Sequence, residues 1–162
     1  MKVGLVADSH DNLPLIRKAI EIFQDSSVRV LLHAGDFVAP FAAREFLNFR
    51  GEIISVYGNN DGEKRGLKEI LPGIKAGPLI VELDGRKILL SHDLTKVREE
   101  NRRKVDCIVF GHTHRPEVKG SRPLLVNPGE CGGWLFGRPT VALLDLDDLS
   151  VRILDLERGA KK

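Results

Sequence analysis

Five times along this chain an apolar, strand-length segment runs into a loop carrying aspartate, asparagine or histidine. Residues 3–7 stop at Asp8-Ser9-His10-Asp11-Asn12, and residues 28–34 lead to Gly35-Asp36. Residues 53–57 lead to Gly58-Asn59-Asn60-Asp61, residues 87–90 to Ser91-His92-Asp93, and residues 105–110 to Gly111-His112-Thr113-His114. In an open α/β sheet, ligands sit outside the carboxyl ends of the strands. The repeated rhythm therefore predicts an α/β fold whose loops share one site.

Between the strands the pattern changes period. After Leu13-Pro14, a first-turn proline, Leu15, Ile16, Ala19, Ile20 and Phe23 share one face, which predicts an amphipathic helix over 13–24. Residues 41–49 read as a second helix. Asp84-Gly85 between 79–83 and 87–90 is a two-residue hairpin signal. Residues 95–104 read as a polar helix. Residues 124–126, 140–145 and 151–156, separated by Gly, Pro and Asp-Asp turns, read as a β-meander. Parallel units first and antiparallel strands later predict two sheets packed face to face with helices outside. No repeat, low-complexity tract or linker divides the chain, so one domain over 1–162 is expected.

Composition narrows the function classes. With 42% apolar and 30% charged residues, the chain can bury a sizeable core. A net charge of +2, from 25 basic and 23 acidic side chains, does not point to nucleic acid or a membrane surface. No segment approaches the ~20 apolar residues of a membrane span, and the N-terminal apolar run is too brief for a signal peptide. Two isolated cysteines, Cys107 and Cys131, suit a reduced compartment. A cytoplasmic protein is expected.

Four of the five histidines, His10, His92, His112 and His114, lie in the strand-exit loops. Imidazole, carboxylate and amide oxygen together suit borderline divalent ions. The i, i+2 spacing of Asp8 and His10, and of His112 and His114, can aim both side chains at one ion or at neighbouring ions. A carboxylate such as Asp36 can bridge two. Each motif alone has a bland reading: Asp8 as a helix cap, Gly35-Asp36 and Gly58-Asn59 as loop punctuation. All five in strand exits of one small chain are harder to dismiss.

Taken in order, Asp8-x-His10, Gly35-Asp36, Gly58-Asn59-x-Asp61, His92 and Gly111-His112-x-His114 resemble the motifs of the calcineurin-like metallophosphoesterases. Asn127-Pro128-Gly129 and a C-terminal hairpin resemble that family's small, single-domain phosphodiesterase branch. The resemblance implies a four-layer α/β/β/α sandwich of two mixed sheets. It also implies a site for two divalent ions, manganese first, with nickel, iron, cobalt or zinc as alternatives. Asp8, His10 and His114 would hold one ion, Asn59, His92 and His112 the other, and Asp36 would bridge them. A metal-bridging hydroxide would attack a small phosphodiester in line. His33, inside the second strand, reads as a core or supporting residue, because the ligand set is already full.

Several positions depart from the family pattern or stay open. Many members carry histidine where this chain has Asn60. An amide can bind a phosphate oxygen but cannot act as a general acid, so diesters with good leaving groups are the expected substrates. Asp93 reads equally as support for His92 or as a helix cap. Arg138 reads as a surface residue before a phosphate contact. Trp134-Leu135-Phe136 fits a core edge, a substrate cleft or a subunit contact, and a homodimer stays open. Two rival readings are a non-catalytic scaffold of the same fold and a nuclease. The complete ligand set weighs against the first, and the near-neutral charge without a long insert weighs against the second.

Overall fold

The computed structural model describes residues 1–157, so positions 158–162 of the expected domain lie outside the described residues. In chain order the strands are β1 (Lys2–Val6), β2 (Val30–His33), β3 (Glu52–Ser55), β4 (Leu79–Leu83), β5 (Arg86–Leu90), β6 (Cys107–Val109), β7 (Glu117–Lys119), β8 (Leu124–Asn127), β9 (Thr140–Asp145) and β10 (Val151–Asp155). The α-helices are α1 (Leu13–Asp25), α2 (Pro40–Ala43), α3 (Lys64–Ile70) and α4 (Glu99–Arg102).

The strands form two five-stranded mixed sheets, ordered β10-β9-β1-β2-β3 and β4-β5-β6-β8-β7. β1, β2 and β3 are parallel neighbours, as are β5, β6 and β8. The two-residue side-chain period divides the core. Val3 and Leu5 face inward with Leu32, Ile88, Leu90 and Val109, forming the layer between the sheets. On the opposite face, Val6, Leu31, Val141 and Leu143 receive Ile16, Ala19, Ile20 and Phe23 of α1. A smaller cluster of Leu89, Ile108, Val97 and Val105 covers the outer face of the second sheet. Helix, sheet, sheet and outer cover make the four layers. Among the described residues, no helix is long and apolar enough to cross a membrane.

α1 forms where the apolar periodicity places it. Asn12 caps it by accepting from the Leu15 N–H at 3.4 Å, and a proline sits in its first turn. Elsewhere tertiary packing overrides local pattern. The helix expected over 41–49 is α2 followed by a 3-10 segment, Arg44–Asn48, that buries Phe46. The polar helix expected over 95–104 breaks into a 3-10 turn, Leu94–Lys96, and α4. Val97 between them is extended and buried against the second sheet, a conformation suited to a β-branched side chain. The meander expected from the last three strands is also corrected. β8 lies in the second sheet parallel to β6, whereas β9 and β10 form a hairpin on the first sheet beside β1. α3 and the fully exposed edge strand β7 went unforeseen, because neither carries an apolar stripe of its own.

Candidate metal centre

The parallel strands of both sheets end on the same side of the sandwich, and their exits form the site. β1 delivers Asp8 and His10, β2 Asp36, β3 Asn59, β5 His92, and β6 His112 and His114. The loops interlock through backbone hydrogen bonds. Asp8 N donates to Gly35 O at 3.0 Å, His10 N to Asp36 O at 3.1 Å, and Gly111 N to His92 O at 3.0 Å. Asp8, His10, Asp36, His112 and His114 all adopt positive φ, between 38° and 70°. Non-glycine residues rarely hold that region without support, and such strain gathers at functional sites. Gly58 is required by close approach, since a Cβ there would overlap the Asp36 carboxylate and its backbone nitrogen.

The structure brings all seven expected residues together, in two adjoining groups. In one, ligand atoms of Asp8, His10, Asp36 and His114 all lie within 4.8 Å of one another. One ion with bonds of ~2 Å spans such a set after small side-chain adjustment. His10 Nε2 is buried without a hydrogen-bond partner, 3.4 Å from Asp36 Oδ2 and 4.0 Å from Asp8 Oδ1. His114 Nε2 lies 3.6 Å from Asp8 Oδ1. An orphaned imidazole nitrogen among carboxylate oxygens is the arrangement a cation would complete.

In the other group, Asn59 Oδ1 lies 2.8 Å from His92 Nε2 and 2.9 Å from His112 Nδ1, with 3.3 Å between the two nitrogens. Asp36 Oδ2 joins the groups, because it lies 3.4 Å from both His10 Nε2 and His92 Nε2. His92 is oriented by its other nitrogen, 2.9 Å from Ala34 O. This half opens onto a cleft of about 390 Å³ whose wall includes Tyr57, Asp93 and Lys96.

Electrostatics agree with a cation site. Burial, reinforced by the Asp36 charge, pushes the Asp8 carboxyl up to about 8. Burial also lowers the His10 and His92 imidazoles, favouring the neutral form whose lone pair a metal needs. Two carboxylates crowded together, with neutral imidazoles around them, lack a compensating positive charge. The donors present therefore fit divalent ions.

The remaining expectations resolve individually. Asn60 sits on the Asp36 carboxylate, donating to Oδ1 from its backbone and to Oδ2 from its side chain, both at 2.8 Å. His33 is buried and aimed away, with Gly35 N donating to Nδ1 and Ser9 Oγ on Nε2, each at 3.1 Å. It braces two site loops, as expected of a supporting residue. Asp93 acts as a cap, accepting from Thr95 N at 2.8 Å. Arg138 pairs with Asp155 across 3.6 Å. Trp134, Leu135 and Phe136 are exposed, which excludes the core-edge alternative. Cys107 and Cys131 are buried and free, their thiols pushed up to about 12 by burial.

Two further carboxylates serve the site: Asp61, a motif residue given no role by the sequence, and Glu130, which the sequence did not single out. Asp61 accepts from the backbones of Asp36, Val38 and Gly58 at 3.0, 2.8 and 2.7 Å, tying two site loops together. Glu130 is fully buried with Oε2 2.9 Å from His114 Nδ1. Its signal was an acidic residue directly after Asn127-Pro128-Gly129, at the exit of β8, which is parallel to β6.

The comparisons with known proteins agree. A calcineurin-like phosphoesterase superfamily domain matches residues 1–149. Phosphodiesterase MJ0936 of Methanocaldococcus jannaschii is 43% identical, over 97% of this chain and all of that protein. Phosphodiesterase YfcE of Escherichia coli is 29% identical over 96% of this chain and 93% of that one. A solved archaeal phosphodiesterase superposes with a TM-score of 0.85 at 40% identity, covering 96% of this chain and 99% of that one. With the fold, the donor set and these relatives in agreement, the chain belongs to the calcineurin-like phosphoesterase superfamily.

Proposed function

We propose that this protein is a phosphodiesterase that acts on a small phosphodiester with two divalent ions. Asp8, His10 and His114 hold one ion, Asn59, His92 and His112 the other, and Asp36 is shared. One observation carries the reading: a single oxygen, Asp36 Oδ2, stands 3.4 Å from an imidazole nitrogen of each group. When bound, such a pair supplies Lewis-acid polarisation of the phosphoryl group and a lowered pKa for water. The chain's own residues do the rest. Burial keeps His10 and His92 neutral, the interlocked loops hold the donors in place, and Asn60 offers an amide N–H at the bridging carboxylate.

The cleft beside His92 and His112 gives the leaving group a path, and exposed Lys96 on its wall adds a positive charge. Asn60 cannot donate a proton as an acid, so esters with good leaving groups suit the site. The mixed oxygen and nitrogen donors suit borderline divalent ions; the family resemblance puts manganese first, with nickel, iron, cobalt and zinc as alternatives. The intact donor set speaks for catalysis over a scaffold of the same fold, and the near-neutral charge for a small substrate over nucleic acid. The two free cysteines suit a reducing compartment, and a cytoplasmic location is part of the proposal.

The test is an activity screen of metals against matched mono- and diesters of p-nitrophenol. Manganese-dependent turnover, faster on the diester and lost in Asp36→Asn, is expected. Metal-independent turnover, or clearly faster monoester hydrolysis, sinks the proposal.

A further inference from the structure

Glu130 lies in a segment that no motif covers, yet its carboxylate meets three hydrogen-bonding partners. Oε2 is 2.9 Å from His114 Nδ1 and accepts from Leu135 N at 3.0 Å, while Oε1 accepts from Phe136 N at 2.7 Å. Both oxygens already accept from backbone N–H groups, so in the contact with His114 the imidazole is the donor. Nδ1 then carries the proton and Nε2 the lone pair. Nε2 is the nitrogen that faces Asp8 across 3.6 Å.

The segment after Glu130 is pinned to the same place from the other side. Gly132 N donates to Asp8 O at 2.9 Å, and Asn12 Nδ2 donates to Gly132 O at 2.8 Å. Trp134, the chain's one tryptophan, is 65% exposed, yet its Nε1 donates to His10 O at 2.9 Å. Residues 132–136 thus hang between the backbone of Asp8 and His10 and the carboxylate that holds His114.

We propose that Glu130 is a positioning residue that sets the His114 tautomer and couples the metal half-site to the rim segment bearing Trp134, Leu135 and Phe136. A carboxylate behind a ligand histidine fixes ring orientation and raises ligand basicity, and its loss typically costs ~10–100-fold in metal affinity. Glutamine cannot substitute fully, because its NH2 group would face an N–H donor whichever way it points. The inference rests on the proposed metal site.

The test uses the metal-stripped full-length chain and Zn2+, with binding followed by calorimetry and by Trp134 fluorescence. Wild type should show a saturable fluorescence change with Zn2+ uptake. Glu130→Gln should bind Zn2+ about 10–100-fold more weakly and leave Trp134 more accessible to acrylamide. Glu130→Asp should recover part of the affinity, which a purely space-filling role would not require. Unchanged affinity in Glu130→Gln, or wild-type fluorescence indifferent to bound Zn2+, overturns the inference alone. A wild type that takes up no Zn2+ overturns the proposed function with it. Should Glu130→Gln not fold, 15N spectra of wild-type histidines decide: an Nδ1–H tautomer at His114 supports the role, and an Nε2–H tautomer overturns it.

Discussion

The two halves of the site are built differently. Asp8, His10 and His114 are buried or half-buried, held by positive-φ backbone and backed by Glu130. Asn59 and His112 are exposed, and their donor atoms converge with His92 Nε2 on the cleft wall, 2.8 to 3.3 Å from one another. The first half gathers two buried carboxylates, Asp8 and Asp36; the second has only the neutral donors Asn59, His92 and His112 besides the shared Asp36, and it opens onto the cleft. A cation gains more from anionic donors held away from solvent than from neutral donors at an open surface. The first half should therefore bind tightly and the second exchange readily.

The comparison can be broken most decisively at the shared oxygen. Asp36→Asn keeps the shape and removes the charge, and should lower turnover by about 10³-fold, since it weakens both halves. Ligand loss should be asymmetric. His114→Ala should strip the tight ion and cost about 10²-fold or more in activity, whereas His92→Ala should retain one ion per chain by elemental analysis. The reverse stoichiometry would invert the assignment. Asn60→His should raise turnover of diesters with poor leaving groups by about tenfold or more, and unchanged rates would place proton donation elsewhere. Stripping the metals should lower the melting temperature by several degrees, because ligand at ~100 times its Kd contributes about 2.7 kcal/mol. Most of that loss should return with the first equivalent added back. Smallest of all, Arg138→Ala should leave kinetics unchanged and stability within about 0.5 kcal/mol, as its surface pair with Asp155 predicts.

The sequence was most legible where local pattern and tertiary role coincide. α1 shows its buried face in its spacing, and the five strand exits show polar residues immediately after apolar runs. Pattern pointed to two face-to-face sheets with helices outside, but the four-layer sandwich of mixed sheets was specified by family resemblance, because periodicity does not say which strands are neighbours. The meander reading failed for that reason: β8 and β9 look alike along the chain, but Asn127-Pro128-Gly129 carries the backbone over the site between two different sheets. The polar helix failed at Val97, where burial against the second sheet outweighed helical pattern. The roles of Asp61, legible only as a motif residue, and of Glu130, not legible at all, were hidden for a related cause. Neither offers itself as a ligand by spacing; each satisfies backbone N–H groups of loops that only the folded chain brings near.

The pairing of β1 with β9 has a consequence for biosynthesis. The strand that delivers Asp8 and His10 is flanked by β2 on one side and by residues 140–145 on the other. A chain emerging from the ribosome can lay β1 beside β2 early, but the first sheet closes only when the C-terminal hairpin arrives. Contacts of such long sequence separation form late and slowly. Until then the donors from residues 8 to 114 have no common frame. Metal capture should therefore wait for residues 140–155 to join the sheet, so that the closed first sheet, and not β1 beside β2 alone, is the frame that competes for ions.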